Sequence, residues 1–218
     1  MGESPRDAIE ATLKLIEAEL ADEGFTLKSG LILARKQSDH THAIRTQAAT
    51  RNRAGLMARF EISAWFESNR LAAWKKAHLP ARPAAVTKFD RVVDIRQLKF
   101  PGTPHHAEWD VVDPGVRSQV AKEAANIVRA QALPWFELTS DPVLALGDLV
   151  TKSIQTSLVY HALATGHSDA ARARIAEIAA GNAAFADVLE AVRRNGKPSS
   201  YRNAFEPIAW AAVSSGIA

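Results

Sequence analysis

The chain has 218 residues and a mass of 23.6 kDa, with 47% hydrophobic and 23% charged residues and a formal net charge of +3, a composition that suits an ordinary globular protein with a sizeable core. It contains no cysteine, which excludes disulfides, thiolate zinc sites and thiol nucleophiles and fits a reducing compartment. The opening MGESPRDAIEATLK lacks the basic head and apolar run of a secretory signal, and nowhere do roughly 18 uncharged apolar residues follow one another, so the expectation is a cytoplasmic protein with no membrane partner.

The small net charge conceals an uneven distribution. Residues 1 to 23 hold 2 Lys/Arg against 7 Asp/Glu, residues 24 to 100 hold 15 against 5, and residues 101 to 218 hold 10 against 12. The local balances are −5, +10 and −2, so the basic surplus falls on the part that reads as sheet.

Residues 5 to 23 read as an amphipathic helix. Ser4 is placed to cap it, Pro5 takes the first position, and Ile9, Leu13, Ile16 and Leu20 form the apolar stripe. Gly24 stops the helix and Phe25 returns to the core. FTLKSGLILARK then offers a hairpin turning at Lys28-Ser29-Gly30, and a second strand runs from about Thr41 to Thr50. Arg51-Asn52-Arg53-Ala54-Gly55 leads into LMARFEISAWFES, where Leu56, Ala58, Phe60, Ile62, Ala64 and Phe66 alternate with a mostly polar set. A period of two held for that long marks a half-buried strand. Pairing the apolar faces puts Arg45, Gln47, Arg59, Glu61 and also Arg35 on one outer surface. Trp65 on that surface is either covered or a contact residue.

NRLAAWKKAH reads as a short helix carrying Leu71 and Trp74, LPARPAAVTK as loop, and FDRVVDIRQL from Phe89 as a further strand; EWDVV closes the sheet with Trp109 and Val111. Beyond Asp113-Pro114 the chain reads as helical. Val116, Val120, Ala124, Ile127 and Val128 trace one buried stripe, and Leu133-Pro134-Trp135-Phe136 breaks it. Asp141-Pro142 opens a long helix with Leu146, Leu149, Val150, Ile154, Leu158 and Leu163 inward. A helical hairpin follows from Ser168 to Asn195, and a last helix from about Asn203 carries Phe205, Ile208, Trp210 and Val213. The fold class is α+β: one helix, an antiparallel meander of about five strands, then a helical layer of about five helices. The expected organisation is a single domain over 1–218, sheet-rich in 1–112 and helical in 113–218.

No stretch carries a catalytic or cofactor motif. There is no Gly-x-Ser-x-Gly elbow, no Gly-x-Gly-x-x-Gly and no Walker-type loop. His40 and His42 share one side of a strand, and His105 and His106 lie in a turn that could approach them, the imidazole pattern of a metal site or a small hydrolase. Surface and strand-end histidines are the blander account, and no metal or cofactor is assigned. The basic region 24 to 100, with Trp65 and Trp74 among its cations, suits nucleic acid. The reading that uses the most residues is a non-enzymatic binding module with Arg35, Arg45, Gln47, Arg59, Glu61 and Trp65 as contacts for an acidic protein or anionic ligand.

Glu23-Gly24-Phe25 after an amphipathic helix, Arg35 closing the next strand, His42-x-Ile44-x-x-Gln47, the apolar strand through Phe60 and Ile62, and Leu133-Pro134-Trp135-Phe136 together resemble the bacterial family known as domain of unknown function 4304, over roughly residues 5 to 140. The resemblance implies a helix-flanked antiparallel sheet and supplies no activity, ligand or catalytic residue.

Overall fold

The computed structural model describes residues 2–79, 91–94, 108–148, 156–197, 203 and 205–218. It is an α+β protein: one N-terminal helix, an antiparallel sheet whose strands β1 (Thr26–Lys28), β2 (Ile32–Lys36), β3 (His40–Ala48), β4 (Arg59–Ser68) and β5 (Arg91–Asp94) lie in that order with a short β6 (Trp109–Asp110) also on β4, and a helical C-terminal region. The chain forms two compact units, Met1–Glu67 with Asp94–Glu137 and Ser68–Val93 with Leu138–Ala218.

In the first unit, α1 (Pro5–Glu19) begins where the sequence predicts. Ser4 Oγ accepts the Asp7 N–H at 3.2 Å and donates to the Asp7 carboxylate at 2.6 Å. Its buried face is Ala8, Ile9, Thr12, Leu13 and Ile16, continued by Leu20. Thr12 is tolerated there because its hydroxyl donates to the Ala8 carbonyl at 2.9 Å. Gly24 takes a φ of 77°, a left-handed turn that glycine adopts without strain, and Phe25 returns inward. Glu17 then accepts the Leu27 N–H at 2.8 Å, tying α1 to the outermost strand and occupying an otherwise bare edge donor.

Strand β1 (Thr26–Lys28) pairs antiparallel with β2 (Ile32–Lys36), and β2 pairs with β3 (His40–Ala48) in the register Leu33↔Ile44 and Arg35↔His42. Strand β4 (Arg59–Ser68) follows, with the Ala49 N–H on the Arg59 carbonyl at 3.0 Å. Leu33, His42, Ile44, Phe60, Ala64 and Phe66 are all buried on one face. The strand starts later than its alternation suggests. Leu56 is 72% exposed, because Gly55 (φ 69°) and the Arg53 carbonyl, which accepts from both Leu56 (3.1 Å) and Met57 (2.9 Å), close a tight turn first. Strand β5 (Arg91–Asp94) lies inside the expected FDRVVDIRQL strand, and β6 (Trp109–Asp110) sets Trp109 opposite Phe60. Arg117, almost wholly buried, donates to the Val111 carbonyl at 3.0 Å and pairs with Glu3.

Asp113 accepts the Gly115 N–H at 2.8 Å over one 3-10 turn, and α3 (Arg117–Ile127) packs on α1. Leu133-Pro134-Trp135-Phe136 does not break the helix. A single π turn over Val128–Ala132, closed by the Leu133 N–H on the Val128 carbonyl, leads directly into α4 (Leu133–Ser140). The π turn falls where Pro134 lacks the N–H that a regular α-helix would place on the Ala130 carbonyl, so the irregular hydrogen bonding sits just ahead of the proline.

In the second unit, Ser68 caps α2 (Asn69–His78) by accepting the Leu71 N–H at 3.1 Å. Asp141 caps α5 (Pro142–Asp148), and α6 (Thr156–Ala164) buries Leu158 and Leu163; Leu149, Val150 and Ile154 lie outside the described residues. Helices α7 (Ser168–Gly181) and α8 (Ala183–Asn195) form the expected hairpin, with Asn182 capping α8. Helix α9 (Phe205–Ser214) buries Ile208, Ala209, Ala211 and Ala212, while Phe205, Trp210 and Val213 are only half-buried. Small residues allow close helix packing, and the bulky positions fall at its margin.

The corrected strand start gives a direct test. Phe60→Ala should lose about 3–5 kcal/mol as a buried aromatic, whereas Leu56→Ala should stay within about 0.5 kcal/mol; urea denaturation midpoints of both variants measure the difference.

Candidate functional site

The alternation of β3 and β4 sorts the predicted contact residues onto faces. Arg45 and Gln47 on β3 share a side with Arg59, Glu61, Ser63, Trp65 and Glu67 on β4, as the contacts of the Arg45 guanidinium with Trp65 and Glu67 confirm for its end of the face. Their environments differ along the strands. Trp65 is only 3% exposed. Its indole N–H donates to Ser63 Oγ at 2.7 Å, and the Arg45 guanidinium lies 4.5 Å from its ring centroid while pairing with Glu67. Trp65 is therefore covered, and Arg45 is committed to Glu67 and the indole. Glu67, which the sequence offers only as one carboxylate among several, completes this group. Alternation already placed it beside Trp65, but its burial had no signature in the sequence.

The other end of the same face is open. Gln47 and Arg59 are exposed and Glu61 is half-buried. Arg59 reaches Asp110 at 3.3 Å and Glu108 at 4.0 Å. Burial pushes the Asp110 carboxyl up, but the N–H groups of Ala58 and Val112 and the Arg59 side chain outweigh it and hold it below the usual range. The Asn52 side chain clamps the turn by accepting the Arg59 N–H and donating to the Arg59 carbonyl, both at 2.8 Å. Arg51 and Arg53 on that turn are exposed and form no ion pair among the described residues.

Arg35 lies elsewhere. Directly opposite His42, it belongs to the buried face: it sits 5.3 Å from the Phe25 ring centroid, donates to the Glu23 carbonyl at 3.3 Å and lies 2.9 Å from His42 Nδ1. A guanidinium can only donate, so His42 Nδ1 accepts and the neutral ring carries its proton on Nε2. Burial, helped by His40 and Arg35, pushes the His42 pKa down to about 3. The ring stacks on Phe136 at 4.3 Å and lies 4.8 Å from His40, whose Nδ1 meets Asp39 at 2.8 Å. That bond holds the Asp39 carboxyl below its usual range.

This arrangement bears on the metal alternative. A metal ligand needs a free lone pair, and the one on His42 is taken by Arg35. Among the described residues no group of three or more His, Asp or Glu is placed to hold a metal ion; His105 and His106 lie outside them.

No family model, no curated protein and no solved structure matches the chain. No helix among the described residues is long and apolar enough to cross a membrane.

Two outcomes follow from this geometry. Glu67→Ala strands a largely covered guanidinium and should cost about 2–4 kcal/mol, while an Arg45→Met, Glu67→Leu double variant should recover most of it; chemical denaturation of the three proteins decides. Because folded His42 stays neutral well below the 6.5 of an ordinary imidazole, the unfolded chain takes up a proton that the folded one does not. Stability should thus be full above pH 6.5 and decline as pH falls towards the folded value of about 3, by at most about 1.4 kcal/mol per pH unit. His42→Gln should flatten the part of this decline above the carboxylate range, measured by denaturation from about pH 7 to 5.

Proposed function

We propose that the protein works by binding an anionic partner on the open end of the outer sheet face and the turn beyond it, through Gln47, Arg51, Arg53 and Arg59 with Glu61 at the margin. The observation that carries this reading is the clamped turn. Between Asp39 and Glu61 the sequence has no carboxylate and four arginines, and Arg51 and Arg53 stand exposed on backbone fixed by the Asn52 clamp. A preformed cationic loop loses little conformational freedom on binding, and guanidinium forks match carboxylates well. In this reading Arg45 and Trp65 brace the face from within rather than touch the partner, and an acidic protein surface is the partner class that fits. Membership of the domain of unknown function 4304 family and action in a bacterial cytoplasm belong to the same proposal and add no activity to it.

The test uses immobilised polyglutamate. Arg51→Glu with Arg53→Glu should abolish salt-sensitive retention, while reversing Arg172 and Arg193, an equal change of net charge on α7 and α8, should leave most of it. Equal loss from both pairs would reduce the effect to bulk charge and overturn the proposal.

A further inference from the structure

Helix α2 carries a surface that the sheet-face reading does not use. No Asp or Glu occurs from Ser68 to Phe89, and within that run α2 holds Arg70, Trp74, Lys75, Lys76 and His78. Arg70, Trp74 and His78 are four residues apart and so follow one flank of the helix. Trp74 stacks on His78 with centroids 4.5 Å apart and planes 12° apart, and on Tyr160 of α6 at 5.8 Å and 25°. Exposure rises along these rings, from buried Tyr160 through half-buried Trp74 to exposed His78.

The outermost ring is held in place. His78 Nδ1–H donates to the Trp74 carbonyl at 2.8 Å, and the Trp210 indole N–H holds the His78 carbonyl at 2.9 Å. Cations in the last turn of a helix complement its dipole, which accounts for Lys75, Lys76 and His78 without further function. It does not account for Arg70. That residue stands exposed in the first turn, where the dipole disfavours a cation and no acidic residue of that turn offsets it. Nor does it account for an aromatic stack that ends at the surface. A ring fixed there, with a cation two turns away on the same flank, has the chemistry of a base platform with a phosphate contact.

We propose that this flank of α2 is a docking site for single-stranded nucleic acid, in which a base continues the Tyr160–Trp74–His78 stack over the His78 ring and Arg70 takes a nearby phosphate. A paired duplex keeps its bases stacked inside and cannot use the ring. The acidic side chains of a peptide offer no aromatic face to extend the stack.

The probe is a labelled oligothymidylate of about twelve nucleotides, titrated with the full chain at about 50 mM salt and followed by anisotropy. Salt-sensitive binding is expected. His78→Ala should weaken it about ten-fold, while His78→Phe should keep it, because the platform needs a flat ring and not a proton. Arg70→Glu should weaken it and lower the salt slope by about one. His78 and Arg70 are exposed, so these variants should fold, and their thermal melts check that they do. Reversing Arg51 and Arg53 should leave the affinity within about two-fold, which separates this site from the sheet face. Absence of binding, equal affinity for a duplex of the same length, or no loss in His78→Ala would each overturn the proposal.

Discussion

The sheet-bearing unit depends on one constraint: a buried imidazole that must stay neutral. His42 faces inward between Ile44 and the aromatic side chains, and Arg35 satisfies it by donating to Nδ1. The same guanidinium lies on Phe25, Phe25 lies near Phe136, and Phe136 stacks on His42. These contacts close a loop linking the chain after α1, the β2–β3 pair and α4. A proton on His42 would oppose Arg35 directly and place a second charge in an apolar setting. Neutrality of this ring is thus a condition of packing on the buried face.

Much of this order was legible in the sequence because it is local. The Ser4-Pro5 start of α1, the stripe from Ile9 to Leu20, the left-handed turn at Gly24 and the caps at Asp113 and Asp141 each follow from a few neighbouring residues. The misreadings arose where distant contacts or backbone detail decide. Leu56 continues a perfect alternation, yet a turn closed by the Arg53 carbonyl ends the strand before reaching it. Pro134 looks like a helix breaker because the rule assumes regular α-helix on both sides.

The proposed contact face shows the same division. Strand alternation correctly grouped Arg45, Gln47, Arg59, Glu61 and Trp65, because period two needs no tertiary information. It misplaced Arg35, since that depends on the β2–β3 register, and it could not show that the face is closed at Trp65 and Glu67 but open at Gln47 and Arg59. Charge was equally uneven as a guide. A basic surplus over residues 24 to 100 describes a stretch of chain, but Arg45 is neutralised internally and Arg59 partly so, and among the described residues Lys28, Lys36, the turn arginines and Arg70 and Lys76 of α2 stand exposed.

The π turn between α3 and α4 acts as a phase shifter. A π turn holds one more residue than the α turn it replaces, and one residue rotates a helix by about 100°. Val128 and Phe136 are both buried with this extra residue in place. Removing one residue from Val128–Ala132 would regularise the hydrogen bonds and yet turn Phe136 away from His42 and Phe25. The irregular segment is thereby less tolerant of a change in length than the regular helices beside it, and lineages of this chain can be expected to vary its residues sooner than its count.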